Sequence, residues 1–140
     1  FIEMILALTF VYSLIVGFMI FFMSVVTPSV FKTLDEINSR NFLRFIFPRM
    51  FLYGFILSFV ALLLSIYIRD QLLILISVFI SILFLINTYI ITPKINFHRD
   101  QSNEGVMESE KVFKQLHLIS VLIFLVQLIS AFSAIIVINL

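Results

Sequence analysis

Four apolar runs, at about 5–27, 49–68, 72–92 and 113–139, are each long enough to cross a bilayer. In hydrocarbon every backbone N–H and C=O must find its partner inside the segment, so runs of this kind fold as helices. With 62% hydrophobic and 12% charged residues in 140, a soluble fold has too little interior to hide its Phe, Ile and Leu. The expected class is an all-α membrane protein, an antiparallel four-helix transmembrane bundle, with residues 1–140 as a single four-span domain. The sequence opens on Phe1 and not on Met, which leaves open whether a few residues precede it. The first run is too long for a signal-peptide core and ends in Thr27-Pro28 instead of a small-residue cleavage site, so it reads as a retained span.

Each run carries a stripe of small or weakly polar residues at helical spacing. In the fourth it is His117, Ser120, Phe124, Gln127, Ala131 and Ala134. Thr9, Ser13, Gly17, Ile20, Ser24 and Thr27 mark the first run, and Gly54, Ser58, Ala61 and Ser65 the second. In the third it is Ser77, Ser81, Phe84, Thr88 and Ile91, with Asn87 alongside. Steps of three and four place each set on one helical face. Lipid gives no partner to an imidazole or a carboxamide, so all four stripes are expected to turn inward, with Phe and Ile turned to lipid.

The breaks between runs differ in kind. Arg69-Asp70 is a two-residue polar break, which predicts a tight hairpin between the second and third helices. Pro28 and Pro93 follow apolar runs and are expected to stop the first and third helices. Pro48 suits the first turn of the second. Residues 38–47 mix Arg40 and Arg44 with aromatics, and read either as a short helix in the headgroup layer, capped by Asn38 or Ser39, or as a frayed entry to the second span. The connection 94–111 is hydrophilic and flexible in composition.

The two Thr-Pro pairs lie 65 residues apart, each followed by a charged connection and then another span. This pattern points to a duplicated two-helix unit, its copies related by an axis along the membrane normal. Eight of the nine Lys and Arg residues fall on the side of the two long connections, and Arg69 alone on the other. The positive-inside rule then puts connections 28–48 and 93–112 in the cytoplasm and both termini on the opposite side.

Polar residues within the spans cluster toward the cytoplasmic ends: Ser24, Tyr53, Asn87, Thr88, Tyr89, His117 and Ser120, with Gln127 deeper. Converging stripes would make of them a small polar vestibule. Met19, Met23 and Met50 lie in the same half, so His117 with Met23 and Met50 could hold a soft metal such as Cu(I), or His117 could ligate a haem iron. The alternative is that amides and hydroxyls join helices, His117 is wetted by headgroups and the methionines pack. His98, next to Arg99-Asp100, reads as solvated. The chain has no cysteine and three glycines, which leaves no thiolate site and no phosphate-binding loop. The basic residues are interleaved with acids, so anionic lipid and not nucleic acid is the expected partner.

Several short motifs carry a resemblance. Phe47-Pro48-Arg49-Met50-Phe51 looks like an F-P-x-x-F entry, Asn87 and Pro93 like an N-x5-P exit, and Phe113, His117 and Ser120 like an F-x3-H-x2-S start. With Gly17, they resemble the transmembrane protein 205 family (domain of unknown function 4149), small four-span proteins with no settled activity. That family is distantly similar to copper-resistance protein D and to HemJ-type haem-pathway proteins, which implies copper or haem as candidate cofactors. Some relatives carry a histidine early in the first span, where this chain reads Ile5-Leu6-Ala7-Leu8-Thr9 and has none. The resemblance therefore carries over Asn87, Pro93, His117 and Ser120 as a polar signature, without a two-histidine haem site.

The reading that follows is a non-enzymatic membrane protein that binds or passes a small solute, or serves as a subunit of a membrane complex. The competing reading is a metal- or haem-binding protein centred on His117. Expected partners are the bilayer and either another membrane protein or further copies of this chain.

Overall fold

The computed structural model describes residues 1–140, folded into four antiparallel helical rods: Ile2–Thr33, Glu36–Ile68, Gln71–Asn103 and Met107–Ile138. At 1.5 Å per residue, rods of 32 or 33 residues are about 48 Å long, against a hydrocarbon core of about 30 Å. The apolar runs end near the termini and the Arg69-Asp70 turn, so the surplus length projects at the other, charged end.

Two of the rods are compound. The first is α1 (Ile2–Phe21), a π turn (Phe22–Val26) and α2 (Thr27–Thr33). The second rod is one helix, α3 (Glu36–Ile68). The third repeats the first as α4 (Gln71–Ile86), a π turn (Asn87–Ile91) and α5 (Thr92–Asn103), and α6 (Met107–Ile138) completes the bundle. The expected helix stops at Pro28 and Pro93 are thus overturned. Before each proline the ladder widens, the Thr27 N–H reaching back to the Phe22 carbonyl and the Thr92 N–H to that of Asn87. That wider turn makes room for a ring which would otherwise crowd the carbonyl four residues back, and the chain continues as helix.

Pro48 is likewise not in a first turn but inside α3, which starts a dozen residues earlier. The cap is Asp35, not Asn38 or Ser39, its carboxylate accepting from the Asn38 N–H at 2.8 Å. Residues 38–47 are therefore neither a separate headgroup helix nor a frayed end. Connection 94–111 is also mostly helical, turning only at Glu104–Val106, where Gly105 takes φ +93. At the opposite end the tight hairpin forms as expected. Arg69 adopts a left-handed φ of 60° and Asp70 caps α4 by accepting from the Leu73 N–H at 3.0 Å.

The bundle closes as a ring, α1 packing on α3, α3 on α4, α4 on α6 and α6 on α1. The stripes of the second and third rods face inward as expected: Gly54, Ser58, Ala61 and Ser65 meet Ser77, Ser81 and Phe84. Ser81 donates to Ser58 at 2.9 Å, and Gly54 lies so close beneath the Phe84 ring that a Cβ there would overlap it. Gln127, Ala131 and Ala134 of α6 are completely buried, and the Gln127 amide donates to the Ile80 carbonyl at 3.1 Å.

The first stripe is the exception. Ser13, Gly17, Ile20 and Ser24 face outward, and the buried face of the rod is Leu8, Val11, Tyr12, Ile15, Met19 and Phe22. The hydroxyls of Thr9, Ser13 and Ser24 donate to the carbonyls of Ile5, Thr9 and Ile20, so they need no neighbouring helix. Inside, the Tyr12 hydroxyl takes the polar role, 2.6 Å from Ser77 Oγ.

Candidate functional site

Beyond the packed layer at Met19 and Phe84, the four rods separate into two pairs. Helix α2 packs on the start of α3, and α5 on α6. Each pair is pinned near its turn by a buried serine. Ser39 Oγ lies 3.2 Å from the Leu34 carbonyl, and Ser109 Oγ lies 3.2 Å from His98 Nδ1. His98 is thus held between α5 and α6 and is not simply solvated. Ser39 and Ser109 stand 70 residues apart, so equivalent positions of the two halves do the same work.

Between the pairs lies a cleft of about 700 Å³, within the size range of small-molecule sites. Its lining comes from both halves at matching positions. Thr27 and Thr92 face it 65 residues apart, and so do Leu43 with Phe113, Phe47 with His117 and Phe51 with Val121, each 70 apart. The halves contribute different chemistry. The first supplies Phe22, Phe31, Phe47 and Phe51; the second supplies Thr92, Asn96, His117 and Ser120. An amphipathic cleft results, its first wall richer in phenylalanine and its second richer in uncharged polar groups, which stand there beside Phe113, Val121, Phe124 and Leu125.

The outer rim is basic. Arg40 and Arg44 reach it from α3 and Arg99 from α5, with Glu36 as the acid among the lining residues. Arg44 spans the two pairs, its guanidinium meeting the Asp100 carboxylate at 2.6 and 3.3 Å. That hydrogen bond, opposed by burial and helped by the nearby charges of Arg44 and Arg40, holds the Asp100 carboxyl below the usual carboxylate range. Arg99 lies over the Phe113 ring at 4.7 Å, and Phe113 in turn stacks on His117 at 6.0 Å. Arg40 touches Glu36 at 3.3 Å, and its Nε–H is buried with no partner.

The predicted polar residues divide into three groups. His117 and Ser120 line the cleft, and Ser120 donates to Asn87 Oδ1 at 3.0 Å, tying the second π turn to the polar wall. Asn87 itself is fully buried, with its Nδ2 unpartnered. Thr88 and Gln127 are buried elsewhere, Thr88 donating to the Phe84 carbonyl at 2.9 Å. Ser24, Tyr53 and Tyr89 face outward, the two tyrosines 46% and 66% exposed, because their positions fall on the lipid side of their helices.

The soft-metal set does not assemble either. Met23 lines the cleft with His117, whereas Met19 and Met50 are packed in the core and do not reach it. No three His, Cys, Asp or Glu side chains gather as a ligand set. One imidazole and one thioether are too few donors to define a copper site, and Met23 is the one further haem-type ligand beside His117 on the cleft wall.

The arginine rim and the aromatic wall went unrecognised in the sequence. Their signal was present: Arg40, Leu43, Arg44, Phe47 and Phe51 repeat at helical spacing, as do Thr92, Asn96 and Arg99. Reading these segments as connections hid the periodicity.

Among known proteins, no curated relative and no solved structure matches the chain. Residues 10–104 match the family described as Domain of unknown function (DUF4149), which takes in most of the first rod and all of the second and third, and leaves α6, with His117 and Ser120, outside the match. Since that match spans more than half of the sequence, this multi-pass membrane protein belongs to the DUF4149 family.

Proposed function

We propose that the protein binds a small amphipathic solute in the cleft between its two helix pairs. The observation that carries this reading is one 700 Å³ cleft whose lining is richer in phenylalanine on the first half and in uncharged polar groups on the second, under a rim of three arginines. Two halves built alike, with matching π turns and pinning serines, have diverged where they face each other, as expected if that face meets a ligand with two unlike sides. Binding is favoured over passage because Met19 and Phe84, and deeper in the bundle Leu8, are fully buried beyond the cleft floor. The likeness to copper-resistance protein D and HemJ-type proteins rests on the short motifs alone, and the donors around His117 lend it no support.

The cleft end is placed in the cytoplasm, with both termini on the other side, on the strength of eight of nine cations lying there. A reporter active only in the cytoplasm, fused after Leu140, should be silent; activity would reverse the orientation.

The binding reading is tested by native mass spectrometry of the protein taken gently from its own membrane. The wild type should carry a bound small molecule that is lost when Val121→Trp or Leu43→Trp fills the cleft. A wild type with no bound molecule, or one retained unchanged in both folded variants, would overturn it.

A further inference from the structure

Resting on that binding reading, we infer that the ligand is an anionic phospholipid, drawn sideways from the leaflet, with its phosphate on Arg40 and Arg99 and its acyl chains along the aromatic wall. Three features lead there together. The first is the mouth. Met23 and Phe31 on the first rod, and Val121 and Leu125 on α6, line the cleft while also being exposed. The cleft therefore opens between the first and fourth rods toward the surrounding lipid, and Met23, Val121 and Leu125 belong to the apolar runs. An acyl chain can enter there without crossing water.

The second is charge complementarity. Three arginines stand on the lining against one acid, Glu36. Glu36 is a weak competitor for Arg40, since its own side chain is 79% exposed at a 3.3 Å contact. Guanidinium groups present planar forks that match phosphate oxygens, and two of them on one cleft lining, Arg40 from α3 and Arg99 from α5, suit a tetrahedral anion better than a lone carboxylate. A zwitterionic headgroup would bring its own cation against this rim.

The third is an unmet donor. The Arg40 Nε–H is buried without a partner. A turn of the Arg40 guanidinium toward a phosphate oxygen at the rim would bring this closed-off donor an acceptor, whereas a neutral solute with no anionic oxygen would leave the charge uncompensated. Arg44 is already committed to Asp100 and holds the two helix pairs together, so it positions the rim and is not the main ligand.

The test uses the full chain in neutral phosphatidylcholine nanodiscs, doped with phosphatidylglycerol bearing a photoreactive group in one acyl chain. A second preparation carries the same group on phosphatidylcholine of identical chains. Labelling is mapped by peptide mass spectrometry at the mouth (Met23, Val121 and Leu125) and at Phe79 and Ile56, which face lipid elsewhere. Phosphatidylglycerol should label the mouth about tenfold more than phosphatidylcholine, the scale of one charged hydrogen bond, and label Phe79 and Ile56 equally. Arg40→Gln and, independently, Arg99→Gln should bring the mouth ratio toward one while leaving labelling in place. Inorganic phosphate should not displace the lipid.

Equal labelling of the mouth by both probes in the wild type overturns the choice of an anionic lipid but leaves the cleft as a binding site. A wild-type ratio in both arginine variants does the same, as does displacement by free phosphate. Failure of both probes to label the mouth would remove the binding reading itself.

Discussion

Ser120 on α6 donates a 3.0 Å hydrogen bond to Asn87 Oδ1 in the second π turn, joining the two helices that form the polar wall of the cleft. The Asn87 Nδ2 is already unpartnered, so this is the single side-chain hydrogen bond the buried amide makes. Ser120→Ala should destabilise the protein by about 1 kcal/mol, as it leaves the whole amide unsatisfied. Asn87→Leu combined with Ser120→Ala should cost less than the sum of the two single changes. Thermal unfolding of the four proteins in one detergent gives the cycle, and additivity would show that the two side chains do not act as a unit.

Gly54 and Gly17 should respond in opposite ways to alanine. A Cβ at Gly54 overlaps the Phe84 ring, and both residues are buried, so Gly54→Ala should cost about 1–3 kcal/mol. Nothing lies within 4 Å of a Cβ at Gly17, which sits on the outward face of α1. There Gly17→Ala should be neutral or stabilise by up to about 1 kcal/mol through helix propensity. Melting temperatures of the two variants decide the matter.

The hydroxyls of the first and second rods make a similar contrast. Ser13 faces outward and bonds only the Thr9 carbonyl, so Ser13→Val should change stability by no more than about 0.5 kcal/mol. Ser58 is fully buried and accepts from Ser81 at 2.9 Å. Ser58→Val adds bulk to a packed layer and removes that acceptor, and should cost about 1–3 kcal/mol. Equal effects at the two sites would mean that the first rod is turned the other way.

The Arg44–Asp100 pair should make the spacing of the two helix pairs depend on pH in the acid range. The folded Asp100 carboxyl lies below its ordinary value of about 3.9, so folding favours the ionised form. Its contribution is fully present above the ordinary value and is lost as pH falls through the lower folded one. The chain has no cysteine, so spin labels at introduced cysteines, Asn41→Cys and Gln101→Cys, report the α3–α5 distance cleanly. The distance should lengthen as pH falls past the ordinary carboxylate value and through the lower folded one, and Asp100→Asn should show the lengthened value at neutral pH. A distance that is the same in both proteins at neutral pH would count against the pair as the tie between them.

The primary structure alone determined the number of helices, the hairpin at Arg69-Asp70 and the inward face of the second and third rods. Apolar length forces helices in lipid, and Gly54 with Ser58, Ala61 and Ser65 leaves one face small enough for close approach. It also determined that Asn87 and Gln127 turn inward, because a carboxamide has more donors and acceptors than its own helix can satisfy. A serine or threonine is different. Its hydroxyl can bond the carbonyl four residues back, so Thr9, Ser13 and Ser24 look the same in sequence whether they face lipid or protein. Only packing decided that α1 buries Tyr12, Ile15 and Met19 instead. Tertiary structure also decided whether each proline ends a helix, since that depends on whether the turn before it can widen, as it does at Phe22–Val26 and Asn87–Ile91. The cleft was the least legible feature. It exists because the four rods part into two pairs toward their charged end, and no local pattern states how far two pairs of helices stand apart.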